Sequence, residues 1–299
     1  LSKDAKVVAV FSAPLTVVEG KPTSLTDVAL ELGKRAEEGK TFDLIILRKT
    51  YEKILELVSS EFQDKCRMII DDDLDKVRIE LEKAMEKKEF SDETRSKTLA
   101  YSGEILMSYV MDYILKSQGI KSEAVKLENW PIITDSNIES ANFLASESNK
   151  KVEFLERLLG ENQVITIGGF IGRTADGIIT TYERGGSDRT AADLGILLHK
   201  KFDVKIDLEK DSSVVSADPR IVKDGLTEVH SISYNEARLA GMFGMNILDP
   251  VAIKEILENG ASLPIVITDM RNPEKTTTIE RKPNNDNGHP IKIITGKKN

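Results

Sequence analysis

Short apolar runs and helical apolar stripes alternate along this chain. Residues 6–11 (KVVAVF) form a β-branched run that stops at Ser12-Ala13-Pro14, the composition of a buried parallel strand. Residues 24–36 (SLTDVALELGKRA) space their apolar positions as a helix does, behind a cap at Ser24 or Thr26, with Gly33 weakening the stripe. Residues 51–57 and the charged stretch 71–88 predict amphipathic helices. Asp71-Asp72-Asp73 reads as a solvated helix start rather than a metal cluster, because consecutive residues do not share a helix face. Residues 98–116 (TLAYSGEILMSYVMDYILK) are apolar on nearly all sides and predict a buried helix with Glu104 inside it. A buried carboxylate is costly unless paired, so Glu104 is a candidate functional group; the plainer alternative is an exposed position on that helix.

Further along, residues 124–134 predict strand and turn, and residues 163–167 (QVITI) a short buried strand that runs into Gly168-Gly169. Helices follow at 190–200, 233–242 and 252–258, with strands at 204–208 and 264–268. Strands alternating with helices argue for an α/β fold with a mostly parallel sheet covered on both faces. Residues 282–288 (KPNNDNG) have the composition of a linker, and 291–295 (IKIIT) would open a further module.

Composition narrows the function classes. In 299 residues there is one cysteine, Cys66, and three dispersed histidines, His199, His230 and His289, so neither a disulfide framework nor a structural zinc site is expected. The net charge of −8 gives no basic field for nucleic acid or anionic membrane, and there is neither a long apolar run nor a secretory signal, so a cytoplasmic location is expected. Cys66 reads as a buried or neutral thiol and Trp130 as packing.

The stretch 164–194 carries the chemistry. A strand that hands over to a glycine loop and then to a helix N-terminus lets backbone amides approach an anion. Here Arg184-Gly185-Gly186-Ser187-Asp188 precedes an alanine-rich helix, with Ser187 or Asp188 as its cap and Arg184 as a planar fork suited to a carboxylate. The loop is alternatively a structural turn. No Walker-type G-x-x-x-x-G-K-[ST] is present, which disfavours a P-loop kinase.

With these motifs in order, the sequence resembles the aspartokinases of the amino acid kinase family. Ser102-Gly103-Glu104-Ile105-Leu106, Ile133-Thr134-Asp135, Gly169-Phe170-Ile171-Gly172, Thr180-Thr181, Arg184 to Asp188, Ser216 to Val222 and Ser233 to Ala237 before Phe243-Gly244 carry the likeness, which covers about residues 5 to 280. The resemblance implies a three-layer α/β sandwich with a mostly parallel central sheet. Its kinase domain would fill residues 1–281, and residues 282–299 would be a linker and the start of a truncated ACT regulatory region. It implies transfer of the γ-phosphoryl of ATP, with Mg2+, to the side-chain carboxylate of L-aspartate, at the head of lysine, threonine and methionine biosynthesis, in a homodimer. Ser12, Arg184, Gly185 and Gly186 would lie at the transfer site. Thr26, Glu104, Phe170, Arg184 and Ser187 would bind aspartate, Glu104 at the ammonium and Arg184 at a carboxylate. Lys210, Asp218, Pro219, Arg220 and Asn246 would face the nucleotide, and no protein metal ligands are expected.

The family pattern is not matched everywhere. Its Lys-Phe-Gly-Gly loop should precede Ser12, earlier than a sequence starting at Leu1 can hold; without that loop the domain would be inactive, and either the loop precedes Leu1 in a longer protein or the protein is naturally truncated. The family's Thr-Asp before the nucleotide loop falls on Glu209-Lys210, its tyrosine on Val215, and the lysine of its Gly-Ala-Lys motif on Asn246. Losing that lysine costs about 1.5–3 kcal/mol of charge-assisted contact unless compensated, and Lys210 is the candidate replacement. Two other readings stay open at this level: a kinase of another amino acid such as homoserine, and a non-catalytic aspartate-binding regulatory homologue.

Overall fold

The structure is a computed structural model that describes residues 5–183, 185–218, 221–245, 247–282 and 292–295. It divides into two compact units, Leu1–Thr190 and Ala191–Asn299. In the first, β1 (Val7–Phe11) leads into a hairpin of β2 (Leu15–Val18) and β3 (Lys21–Ser24). Glu19 and Gly20 both take positive φ at its two-residue turn, the handedness that matches strand twist. Next come α1 (Leu25–Glu37), α2 (Ile45–Leu55), α3 (Ser60–Lys87), α4 (Asp92–Ser102), α5 (Glu104–Ser117), β4 (Ser122–Ala124), α6 (Ala145–Ser148) and α7 (Val152–Glu161). The unit continues through β5 (Val164–Gly168), β6 (Ile171–Arg173), β7 (Ile179–Thr181) and the start of α8 (Ser187–Leu198). Its sheet has the order β1-β5-β4 and is parallel throughout, as the fully buried run of β5 requires.

The first unit's apolar core is helical. Ile70, Leu74, Val77, Leu81 and Ala84 recur at three- and four-residue steps along α3 and face Leu25, Leu47, Tyr51, Leu106 and Val110 in one buried cluster. The same period corrects the expectation for the three aspartates. They sit in the middle of the 28-residue α3, with Asp72 exposed and Asp73 turned inward, its Oδ1 2.6 Å from Lys76 Nζ. Burial pushes the Asp73 carboxyl above its ordinary pKa, and Lys76 opposes that.

The predicted helix over 98–116 is two helices. Gly103 interrupts it at φ −122° and ψ −104°, outside the helical region, so Glu104 becomes the first residue of α5 rather than an interior one. A Cβ at Gly103 would lie 3.0 Å from both Ala13 Cβ and Leu99 O, so the break is also where β1's exit loop packs.

The second unit carries the rest of α8, then β8 (Ile206–Lys210), β9 (Ser231–Ser233), α9 (Tyr234–Met242), α10 (Pro250–Glu258), β10 (Ile265–Asp269) and β11 (Thr276–Glu280). Its sheet order is β8-β10-β11-β9, with β10 and β11 antiparallel and the other two pairs parallel. A capping box between Ser233 and Glu236 starts α9, and Asp249 caps α10 ahead of Pro250.

Candidate active site

Where β1 and β5 end side by side, their backbones converge on the start of α5. Phe11 pairs with Gly168, and the Gly169 N–H donates to the Phe11 carbonyl at 2.8 Å. A Cβ on Gly168 would fall 2.8 Å from the backbone carbon and oxygen of Glu104, so glycine is what allows this approach. Gly169 is confined in the same way: its Cβ would be 2.6 Å from Ser187 Oγ. Ser12, just past β1 and exposed, donates from its hydroxyl to Ser187 Oγ at 2.9 Å.

Glu104 is 4% exposed. Burial raises its pKa from 4.5 to about 7, while backbone hydrogen bonds from Glu104 itself and Ala13 pull it the other way. Its Oε2 is buried and has no hydrogen-bond partner among the described residues. An acceptor left in that state costs about 1–3 kcal/mol, more if charged, so this oxygen can accept a further donor.

Phe170 adopts φ +66°, rare for a non-glycine residue, and the Ile171 N–H reaches back to the Gly169 carbonyl at 2.7 Å to close a γ-turn. Two bonds fasten this strained turn: its carbonyl accepts from the Tyr182 N–H at 2.9 Å, and its N–H donates to Thr190 Oγ1 at 3.0 Å. The Thr190 hydroxyl in turn donates to the Gly186 carbonyl at 3.2 Å. A Cβ on Gly186 would meet Tyr182 Cβ at 2.5 Å and Phe170 Cδ2 at 3.2 Å, so the glycine loop lies directly against the turn. Gly185 carries φ +91°, which an L side chain rarely adopts. Beside them the buried Arg189 guanidinium stacks on the Tyr182 ring at 4.0 Å.

Of the predicted transfer site, Ser12, Gly185 and Gly186, and of the predicted amino acid site, Glu104, Phe170 and Ser187, therefore meet around the ends of β1 and β5. Thr26 is the second residue of α1, half-buried; the Leu25 N–H before it donates to the Pro14 carbonyl at 3.0 Å, tying it to the loop after Ser12. Arg184 lies outside the described residues. The helix begins at Ser187, so neither Ser187 nor Asp188 is its cap. Gly186 holds that place, its carbonyl accepting the Thr190 N–H at 3.0 Å and leaving the Ser187 hydroxyl for Ser12. Sequence reasoning passed over Thr190. Its signal was three-residue spacing from Ser187, which sets both on one side of the first helical turn.

In the second unit Lys210 ends β8, which runs two residues later than expected, and its carbonyl accepts the Met270 N–H at 2.9 Å. The Asp218 carbonyl accepts from the Ile221 and Val222 amides at 3.0 and 2.9 Å. Pro219, Arg220 and Asn246 lie outside the described residues. Among the described residues, no group of three or more His, Cys, Asp or Glu side chains is placed to hold a metal. A cavity of about 340 Å³ between the hairpin, α1 and residues 42–46 contains none of the predicted site residues.

The α/β fold that carries this arrangement is shared with solved aspartokinase structures. The structure of E. coli aspartokinase III in complex with aspartate and ADP matches with a TM-score of 0.78 at 21% identity, over 93% of this chain and 59% of that one. The model of the amino acid kinase family matches residues 34–269, and the chain belongs to that family. It is 30% identical over 199 residues to the aspartokinase of Rickettsia felis, covering 66% of this chain and 47% of that protein. It is 27% identical over 278 residues to a bifunctional aspartokinase/homoserine dehydrogenase 2 of maize, Zea mays, covering 91% of this chain and 29% of that protein. The chain thus spans about half or less of these two relatives.

Proposed function

We propose that this chain is the catalytic part of an aspartate kinase, transferring the γ-phosphoryl of ATP to the β-carboxylate of L-aspartate to give 4-phospho-L-aspartate. The observation that carries the reading is the buried Glu104 carboxylate at the convergence of β1, β5 and α5, whose Oε2 has no hydrogen-bond partner among the described residues and where a substrate ammonium supplies the missing donor. The aspartokinase relatives and the complex of E. coli aspartokinase III with aspartate and ADP support the choice of substrates.

The acceptor carboxylate is ionised at neutral pH, so no general base is required and catalysis reduces to positioning and charge neutralisation. Glu104 receives the ammonium and Arg184 a carboxylate, while Thr26, Phe170 and Ser187 complete the amino acid side. Ser12, Gly185 and Gly186 attend the transferred phosphoryl through a hydroxyl and glycine amides. Lys210, Asp218, Pro219, Arg220 and Asn246 face the nucleotide. ATP enters as its Mg2+ complex, the ion held chiefly by phosphate oxygens. In this reading residues 1–281 form the kinase domain and 282–299 the passage into a regulatory region, in a cytoplasmic homodimer.

The test is ADP release by the full-length protein with ATP, Mg2+ and a panel of amino acids, with hydroxylamine trapping the acyl phosphate. L-Aspartate-dependent ADP and hydroxamate are expected. Turnover with homoserine instead would move the acceptor, and aspartate binding without ATP binding would make the chain a regulatory homologue.

A further inference from the structure

Tyr51 comes from α2, yet its hydroxyl lies at the start of α5. The side chain is fully buried, and the hydroxyl oxygen stands 2.9 Å from the Ser102 carbonyl and 3.0 Å from that of Gly103. With one proton to give, the phenol makes a three-centre bond to the last residue of α4 and to the residue of the break. The backbone there needs an external tie, since Gly103 is in neither helical nor extended conformation and glycine has the most conformational freedom to lose. The Gly103 carbonyl also accepts the Met107 N–H at 2.8 Å, so the group held by Tyr51 is the one that opens α5. Glu104 follows immediately.

The Glu104 carboxylate lies within electrostatic reach of the phenol. Burial raises the Tyr51 pKa most, and the charges of Glu104 and of Asp73 on α3 raise it further. Asp73 is itself paired with Lys76, whose ammonium sits 4.9 Å from the centre of the Tyr101 ring. On the other side, Ala13 packs against Gly103 and hydrogen-bonds Glu104.

From this geometry we infer that Tyr51 is a positioning residue for amino acid binding. By pinning the α4–α5 break it fixes the direction in which Glu104 presents its carboxylate to the substrate ammonium. The inference rests on the assignment of Glu104 made above. Tyr51 is fully buried and bonded to the break itself, so its removal should shift recognition of the amino acid and leave the nucleotide alone.

Tyr51→Phe deletes the hydroxyl and keeps the ring. In the full-length enzyme KM for L-aspartate is expected to rise about tenfold, the size of a misaligned charge-assisted bond, with kcat and KM for ATP within about twofold of the parent. Titration calorimetry with L-aspartate reads the same shift without turnover. The double variant Tyr51→Phe/Glu104→Gln should bind aspartate no more weakly than Glu104→Gln alone. An unchanged aspartate affinity in Tyr51→Phe, beside a clear loss in Glu104→Gln, overturns the role of Tyr51 while keeping that of Glu104. Parent-like binding by Glu104→Gln overturns both. A loss of activity that only follows the folded fraction by circular dichroism, with both KM values unmoved, also overturns it. Should Tyr51→Phe not fold, Gly103→Ala disturbs the same break from the Ala13 side, where a selective rise in aspartate KM supports the inference and a native KM overturns it.

Discussion

Glu104 is the residue at which, in its proposed role, stability and binding pull in opposite directions. Its pKa is raised from 4.5 to about 7, so the folded protein holds a proton there that the unfolded chain releases. The stability this contributes is complete below pH 4.5 and is lost as pH rises through about 7, an effect of about 3 kcal/mol. Glu104→Gln, neutral at every pH, should therefore be more stable than the parent at pH 8 by about 2–3 kcal/mol and close to it at pH 5, as urea unfolding at the two pH values will show. Binding runs the other way, because the ammonium needs the ionised carboxylate. Neither the amine nor the carboxylates of aspartate titrate between pH 6 and 8. Aspartate affinity should weaken by roughly tenfold per unit as pH falls below about 7 in the parent and stay flat in Glu104→Gln, which calorimetry at pH 6 and 8 decides. Thr190 fastens the Phe170 turn, on the other half of the proposed amino acid side. Thr190→Val keeps its shape but strips the Phe170 N–H of its acceptor, at a cost of about 1–3 kcal/mol by denaturation. Thr190→Ser keeps the hydroxyl and should recover most of that stability together with the aspartate KM.

At the scale of elements, the packing around each break decides what the helices tolerate. Gly33 lies in the middle of α1, where exchange for alanine would ordinarily gain about 1 kcal/mol of helix propensity. Here a Cβ would lie 2.0 to 2.4 Å from three atoms of the Phe90 ring, itself 3% exposed. Overpacking of about 1–3 kcal/mol outweighs the propensity gain, so Gly33→Ala should lower the melting temperature, and adding Phe90→Leu should restore part of it. The weakness that Gly33 gives the apolar stripe of α1 was visible in the sequence; the ring it admits was not, because Phe90 comes two helices later, after α3. The strands β1, β5 and β10 were readable from their apolar runs, and Glu104 from the cost of a carboxylate in an apolar segment. The break at Gly103 was hidden, since the apolar residues on both sides keep a helical pattern and only the approach of Ala13 distinguishes two helices from one. The β2–β3 hairpin was hidden in the same way: its strands are four residues each and its face is half polar, so its one local signal was Glu19-Gly20.

At the scale of the whole molecule, the groups assigned to the amino acid fall in the first unit, and those assigned to the nucleotide in the second. Departures from the aspartokinase pattern are distributed unevenly between the two sets. Ser12, Glu104, Phe170 and Ser187 keep their types and meet in the structure, whereas Glu209-Lys210, Val215 and Asn246 depart from the pattern expected around a triphosphate. If substrate recognition divides in this way, a change in one set alters one KM alone. Asn246→Lys restores the cation expected near the phosphates, a charge-assisted contact of about 1.5–3 kcal/mol, so KM for ATP should fall by about tenfold or more while KM for aspartate stays fixed. The outcome separates two sources of phosphate charge. If Lys210 already supplies it, Asn246→Lys gains little, and Lys210→Ala in the parent raises KM for ATP by a similar factor. If Lys210 does not, Lys210→Ala is silent and Asn246→Lys gives the full gain. Initial-rate measurements with each substrate varied at saturating levels of the other decide between them, and a change in aspartate KM on either substitution would refute the division.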